Sequence, residues 1–207
     1  MTLPALLAFL GASLALTIAP GPDNLFVITQ GISRGRRAAV ITALGMCSGI
    51  SVHTLAAAAG VSALFHASAV AFNLVKVAGA GYLLYLAARA VLEHAVIAER
   101  RTDGGTSGLA LFRRGFIMNV LNPKVALFFL AFLPQFTVAG AGGIGWQMAA
   151  LGLLFMAQAV VIFTAIGYFS GRVGDYVLAR PEIARYFSWL SAGIFAALGI
   201  RLALAER

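Results

Sequence analysis

The sequence predicts an all-α integral membrane protein with six transmembrane helices, and its composition and hydropathy pattern are the reasons. Apolar residues make up 61% of the 207-residue chain and charged residues only 11%, against about 45–50% and about 25% in soluble domains. A soluble domain of this length could not bury so much apolar surface. Crossing a bilayer takes about 20 mostly apolar residues. Six segments meet that requirement: 3–32, 39–63, 68–90, 115–135, 146–170 and 186–204.

The placement of the positive charges predicts the orientation of these helices. The net charge is +8, and most arginines lie between helices one and two, three and four, and five and six. They are Arg34, Arg36 and Arg37; Arg89, Arg100, Arg101, Arg113 and Arg114; and Arg172, Arg180 and Arg185. The positive-inside rule puts these connections in the cytoplasm and both termini outside. A basic stripe with interleaved aromatic residues is absent, which argues against a nucleic-acid partner.

The first predicted helix is interrupted in its middle by Pro20, Gly21 and Pro22. Each proline lacks a backbone N–H and disrupts the preceding turn, which frees carbonyl groups. In lipid, protein, water or substrate must satisfy them. Asp23 and Asn24 then begin a second half-helix, whose positive dipole end favours anions. A proline kink with a self-capping Asp is the alternative, but the cost of a carboxylate inside the membrane favours a functional role.

The second and third helices hold few polar residues. Gly45 and Gly49 allow close helix approach, either inside the protein or in a homo-oligomer. His53 is a packing residue or part of a proton path, and these two interpretations stay open. Lys76, in the middle of helix three, is a candidate partner for Asp23 in an ion pair or in coupling.

The fourth helix contains a second interruption at Asn122, Pro123 and Lys124. We expect Asn122 to bond carbonyls that Pro123 loosens. At 1.5 Å per residue, Lys124 lies about 15 Å beyond Arg114, and Pro22 about 18 Å from Arg34. Both interruptions therefore fall near the middle of a hydrocarbon core about 30 Å thick. Lys124 would pair there with Asp23 or with a substrate carboxylate.

The two halves of the chain carry weak internal similarities. Pro22-Asp23 corresponds to Pro123-Lys124, and GYLLYLAAR in helix three corresponds to GIFAALGIR in helix six. Because each half has three helices, the halves would have opposite orientations, as in transporters with a midplane site. We therefore predict a single membrane domain, 1–207, with repeats at 1–92 and 114–207 and a cytoplasmic linker at 93–113. Chance similarity between apolar helices is the competing explanation.

Other kinds of site find little support. The three histidines are scattered without metal-ligand spacing, and no phosphate-binding glycine loop precedes a basic residue. We expect no metal, no cofactor and no use of ATP, so that coupling would depend on an ion gradient.

Two long runs resemble the signatures of the LysE/RhtB family of amino-acid exporters: APGPDNLFVITQGISRGRRAAVITALG from Ala19 and NVLNPKVALFFLAFLPQF from Asn119. The resemblance implies a secondary transporter in the bacterial cytoplasmic membrane that exports amino acids or related small metabolites. It implies drive by proton antiport or the membrane potential, and not an enzyme. The residues it implicates in substrate binding are Pro20, Gly21, Pro22, Asp23, Asn122, Pro123 and Lys124.

Both lines of reasoning suggest one mechanism. Asp23 would bind the ammonium group of an amino acid, while Lys124 and backbone donors near Asn24 would bind its carboxylate. A transporter of inorganic cations is an alternative, but it predicts several acidic ligands at the midplane. An intramembrane enzyme or structural subunit is another, although a structural subunit would not need broken, charged helices.

Overall fold

The computed structural model describes residues 2–19, 21–61, 69–92, 106–138, 140–178 and 181–204. These residues are helical almost throughout and include no β-strand. They form eight α-helices: α1 Leu3–Ile18, α2 Pro22–Arg34, α3 Arg36–Ala56, α4 Ala69–Leu92, α5 Gly108–Val120, α6 Pro123–Leu127, α7 Ile144–Leu178 and α8 Pro181–Leu204. Helix α3 continues as a π-helical turn at Ala57–Val61. Helix α6 continues as a π-helical turn at Phe128–Phe132 and a 3₁₀ turn at Leu133–Phe136.

The predicted apolar segments coincide with these helices. Residues Arg36–Gly60 and Ile144–Ser170 are each long and apolar enough to cross a membrane, and the α1–α2 and α5–α6 pairs qualify if each bent pair is one span. The described residues thus supply two to four candidate spans by length and composition. Residues 93–105 of the predicted linker lie outside the described residues, and 108–113 already belong to α5.

Close contacts define the relative directions of the helices. Helix α5 runs parallel to α3, because Gly45 lies against Phe112 and Gly49 against Asn119. Helix α7 runs antiparallel to α3, with Gly167 against Ala39 and Gly152 against Thr54. Helices α1 and α2 run parallel to α7, since Thr17 contacts Gln158 and Gly31 contacts Ser170.

Helices α4 and α8 form a second, antiparallel pair. Gly79 lies against Leu202, and Gly199 lies against Leu83. Helix α8 also runs parallel to α6 and its continuation, because the Phe195 ring lies 5.7 Å from Lys124 Nζ and Arg201 covers the ring of Phe132. If each bent pair, α1–α2 and α5–α6, counts as one element, the helix directions therefore alternate along the chain.

Small residues bring α3 and α5 into contact. A Cβ atom added at Gly45 would collide with the backbone carbonyl of Phe112, and one at Gly115 with the carbonyl of Thr42. Gly45 and Gly49 therefore serve a helix contact inside the protein. Their sequence spacing had left open whether they lie inside the protein or in a homo-oligomer interface.

A turn of one residue joins α2 to α3. Gly35 has a φ of 84°, in the left-handed region that glycine adopts without steric cost. Arg34 and Arg36 flank it. Arg36 donates a 3.2 Å hydrogen bond to the hydroxyl of Tyr168, which lies near the C-terminal end of the Ile144–Ser170 span. The first arginine cluster thus lies at one end of the helix bundle.

Candidate functional site

The two predicted helix interruptions adjoin in the structure. Helices α1 and α2 meet at an angle of 50°, and α5 and the helix that begins at Pro123 meet at 47°. Between them, Lys124 Nζ lies 2.9 Å from Asp23 Oδ2 and 3.0 Å from Asp23 Oδ1. Both side chains are only 3% exposed. The acid and the base from the two halves of the chain therefore form a buried, bidentate ion pair.

Lys124 also binds the end of α1. Its Nζ donates to the carbonyl of Leu16 at 3.3 Å and to that of Ala19 at 3.4 Å. Carbonyls in the last turn of a helix have no intrahelical partner, and the helix dipole makes that end negative. The ammonium of Lys124 therefore neutralises both a carboxylate and a helix C-terminus.

Asn24 satisfies the remaining carbonyls of that turn. Its Nδ2 donates to the Thr17 carbonyl at 3.0 Å and to the Ile18 carbonyl at 3.5 Å. Asn24 is 5% exposed, and its Oδ1 is buried without a hydrogen-bond partner among the residues that the structure describes. The carbonyls freed at the first break are thus bonded by two side chains, and one acceptor on Asn24 is left unused.

Asn122 acts differently from the sequence-based expectation. Its Oδ1 accepts a 3.0 Å hydrogen bond from the backbone N–H of Lys124, so it caps the start of α6. Its Nδ2 is buried without a partner, and no loosened carbonyl receives it among the described residues. Pro123 has no N–H, so the first backbone donor of α6 that needs a partner is the N–H of Lys124. Asn122 satisfies that donor and not a carbonyl. An unused donor thus remains on Asn122, at the start of the helix that holds Lys124.

The other predicted site residues shape the backbone. Pro22 and Pro123 each occupy the first turn of a helix, at the start of α2 and α6. A Cβ added at Gly21 would lie 2.7 Å from Asp23 Oδ1 and 3.1 Å from Lys124 Nζ. Only glycine leaves room for the ion pair at that position. Pro20 lies outside the described residues.

Sequence reasoning missed a polar contribution from α7. Gln158 Nε2 donates a 2.9 Å hydrogen bond to Thr17 Oγ1, in the last turn of α1. Thr17 Oγ1 in turn donates to the Ser13 carbonyl at 2.8 Å. A glutamine in the middle of an otherwise apolar span was the signal that could have found it.

The sequence also named Lys76 and His53. Lys76 is half-buried on α4, and its role in coupling stays a prediction. His53 is buried, with Nε2 3.0 Å from the Asn119 carbonyl and its ring 5.9 Å from that of Phe129. These contacts suit a packing residue that also bonds the end of α5.

Comparison with known proteins identifies the family. A family model described as LysE type translocator matches residues 14–206. The chain belongs to the LysE family. The resemblance seen in the two signature runs is therefore confirmed, and this LysE-family protein is a membrane transporter and not an enzyme. No solved structure matches it.

Relatives of similar length extend along nearly the whole chain. The protein is 30% identical over 202 residues to the leucine efflux protein of Salmonella typhimurium, covering 96% of this chain and 94% of the relative. It is equally similar to the leucine efflux protein of Salmonella typhi. It is 28% identical over 201 residues to an uncharacterized membrane protein of Vibrio cholerae, covering 97% of each chain. The ion pair and both helix breaks thus lie within a region shared with these relatives.

Proposed function

We propose that this LysE-family translocator exports amino acids or closely related small metabolites across the bacterial cytoplasmic membrane. The observation that carries the proposal is the buried Asp23–Lys124 pair at the junction of two broken helices. Because leucine efflux proteins are among its relatives, we propose amino acids with apolar side chains as its substrates. In this proposal the chain crosses the membrane six times as two inverted repeats, with both termini outside.

A zwitterion matches the charges of the pair. An amino acid carries one ammonium and one carboxylate. Its ammonium can replace Lys124 as the partner of Asp23 while its carboxylate replaces Asp23 as the partner of Lys124. Opening the pair without such a substrate would leave two separated charges in a buried site, at a cost of several kcal/mol each. The exchange of partners lets the site open while every charge stays neutralised.

The unused amide atoms extend this match. The amino group of Asn24 faces two carbonyl oxygens, and the carbonyl of Asn122 faces a backbone N–H, so the network fixes both amide orientations. The open atoms are consequently an acceptor on Asn24, the residue after Asp23, and a donor on Asn122, which caps the helical turn that holds Lys124. The acceptor suits an ammonium group and the donor suits a carboxylate. Asn24 therefore belongs on the ammonium side, in contrast to the carboxylate role first expected near it.

The closed pair also explains how an unloaded carrier could return. With Lys124 bonded to Asp23, the empty site exposes no net charge to the membrane interior. Such a carrier can reorient at lower cost than one with an open carboxylate. We propose that a proton gradient or the membrane potential drives export through this cycle.

Efflux from preloaded proteoliposomes tests the function. Vesicles would be loaded with each member of an amino-acid panel, and the pH gradient and the membrane potential would be imposed separately. We expect efflux of leucine or another apolar amino acid, accelerated by either force, and its loss in Asp23→Asn. Efflux of no amino acid above that of protein-free vesicles would contradict the proposal, as would an unchanged rate and pH dependence in Asp23→Asn.

A further inference from the structure

We propose that Gln158 is a third ligand of the substrate's ammonium group, beside Asp23 and Asn24. This inference rests on the proposed export of amino acids, and it adds a residue from α7 to a site otherwise built by the two broken helices. Gln158 lies outside both signature runs, which end at Gly45 and Phe136.

The hydrogen-bond network fixes the orientation of the Gln158 amide. The hydroxyl of Thr17 has one proton, and the Ser13 carbonyl, which can only accept, receives it at 2.8 Å. Thr17 Oγ1 must therefore accept at its 2.9 Å contact with Gln158, which makes the contacting atom the amino nitrogen. The carbonyl oxygen, Oε1, is left buried and has no hydrogen-bond partner in the described part of the chain.

Thr17 joins this unused oxygen to the one on Asn24. Its side chain receives Gln158, and its backbone carbonyl receives Asn24. Two amide groups, one from α2 and one from α7, are thus oriented by a single residue in the last turn of α1. Asn24 donates to the Thr17 and Ile18 carbonyls and Gln158 donates to the Thr17 hydroxyl, and each amide keeps a carbonyl oxygen without a partner among the described residues.

The unpartnered atoms of Asn24 and Gln158 are both acceptor oxygens. With the carboxylate of Asp23 they make three acceptor groups, and a primary ammonium has three N–H bonds to donate. A ligand group without N–H or O–H bonds would leave these buried oxygens unsatisfied, each at a cost of about 1–3 kcal/mol. A primary ammonium offers one N–H to each of the three groups and also carries the charge that pairs with Asp23.

Gln147, on the same helix, shows what a purely structural glutamine looks like here. Its Oε1 accepts from the backbone N–H of Val138 at 2.9 Å, and its Nε2 donates to the carbonyl of Val138 at 3.0 Å. The same Nε2 lies 3.4 Å from the carbonyls of Ala141 and Gly142. Both ends of the Gln147 amide are used to hold a loop, whereas Gln158 uses only one. Gln147 is consequently a matched control.

The test compares Gln158→Met with Gln147→Met, since methionine keeps the length of the side chain and removes the amide. Leucine affinity would be measured for each purified variant from ligand-dependent thermal stabilisation, because a ligand that binds only the folded form raises its stability. We expect Gln158→Met to weaken leucine binding by roughly 10-fold to 100-fold, the range for a lost hydrogen bond to a charged group. Gln147→Met should lower the unliganded melting temperature and leave the leucine affinity within about 2-fold of wild type, since Gln147 bonds a loop that includes none of the residues proposed to bind the substrate.

Several results would overturn the assignment. Leucine affinity within about 2-fold of wild type in Gln158→Met would show that the Gln158 oxygen binds only water. An equal loss for 2-hydroxy-4-methylpentanoate, the analogue of leucine that lacks the ammonium, would show a general effect on the site. If Gln158→Met does not fold, Thr17→Val decides, because it removes the group that orients Gln158: a selective loss for leucine supports the assignment, and unchanged affinity refutes it. Failure of the wild-type protein to bind any amino acid would instead refute the proposed function.

Discussion

Removal of Lys124 should destabilise the protein more than removal of the charge on Asp23. In Lys124→Met, the carboxylate of Asp23 loses its partner and two carbonyls of α1 lose their donor. In Asp23→Asn, Lys124 keeps both carbonyls and the negative end of α1, and the new amide oxygen can still accept. Both substitutions break the same ion pair. Lys124→Met leaves a buried carboxylate without its partner, whereas Asp23→Asn leaves an ammonium that still bonds the carbonyls at the end of α1.

These differences set the expected magnitudes. An uncompensated buried charge costs about 3–5 kcal/mol, and we expect that loss in Lys124→Met. Asp23→Asn weakens one charged hydrogen-bonded contact, with an expected loss of about 1.5–3 kcal/mol. The double variant contains no buried charge, so it should be more stable than Lys124→Met alone, although it should not transport.

Equilibrium unfolding of the four proteins in mixed detergent micelles measures this cycle, and leucine efflux from vesicles is measured in parallel. We expect a coupling free energy of at least about 2 kcal/mol between the two positions, since residues in direct contact do not behave additively. Additive losses within about 0.5 kcal/mol, the spread for independent sites, would refute the inference that these side chains compensate each other. Transport by the double variant would show that the ion pair is not required for function.

Three more predictions concern the surrounding fold. Gly45→Ala should destabilise the protein by about 1–3 kcal/mol through overpacking against α5. Gly193→Ala is the control, since nothing lies within 4 Å of the added Cβ, and it should change stability by less than about 1 kcal/mol. Chemical unfolding compares the two variants, and equal losses would contradict the close helix contact. His53→Ala should cost about 1–2 kcal/mol through its lost hydrogen bond, and His53→Gln, which keeps a donor, should recover part of it in the same assay. In a background without the native cysteine, Ser107→Cys should react with an impermeant maleimide only from the cytoplasmic side and Thr2→Cys only from outside; the reverse pattern would contradict the orientation.

Local chemistry made the two helix breaks predictable from the sequence. A proline removes a donor wherever it stands, so the Pro-Gly-Pro run and Pro123 had to interrupt their apolar segments. Helical rise then placed both breaks at one depth, and the cost of intramembrane charge made partners of Asp23 and Lys124. These three arguments left Asp23 or a substrate carboxylate as the partner of Lys124, and the structure pairs Lys124 with Asp23.

Which partners satisfy the freed backbone groups was decided only by tertiary structure. The sequence by itself shows that carbonyls at the end of α1 lose their helical donors. It does not show that Lys124 bonds two of them, that Asn24 bonds the others, or that Asn122 caps α6. Gln158 reaches Thr17 across 141 positions of the chain. A broken helix specifies locally that a group needs a partner, but the packing of distant helices determines which side chain lies within hydrogen-bond distance.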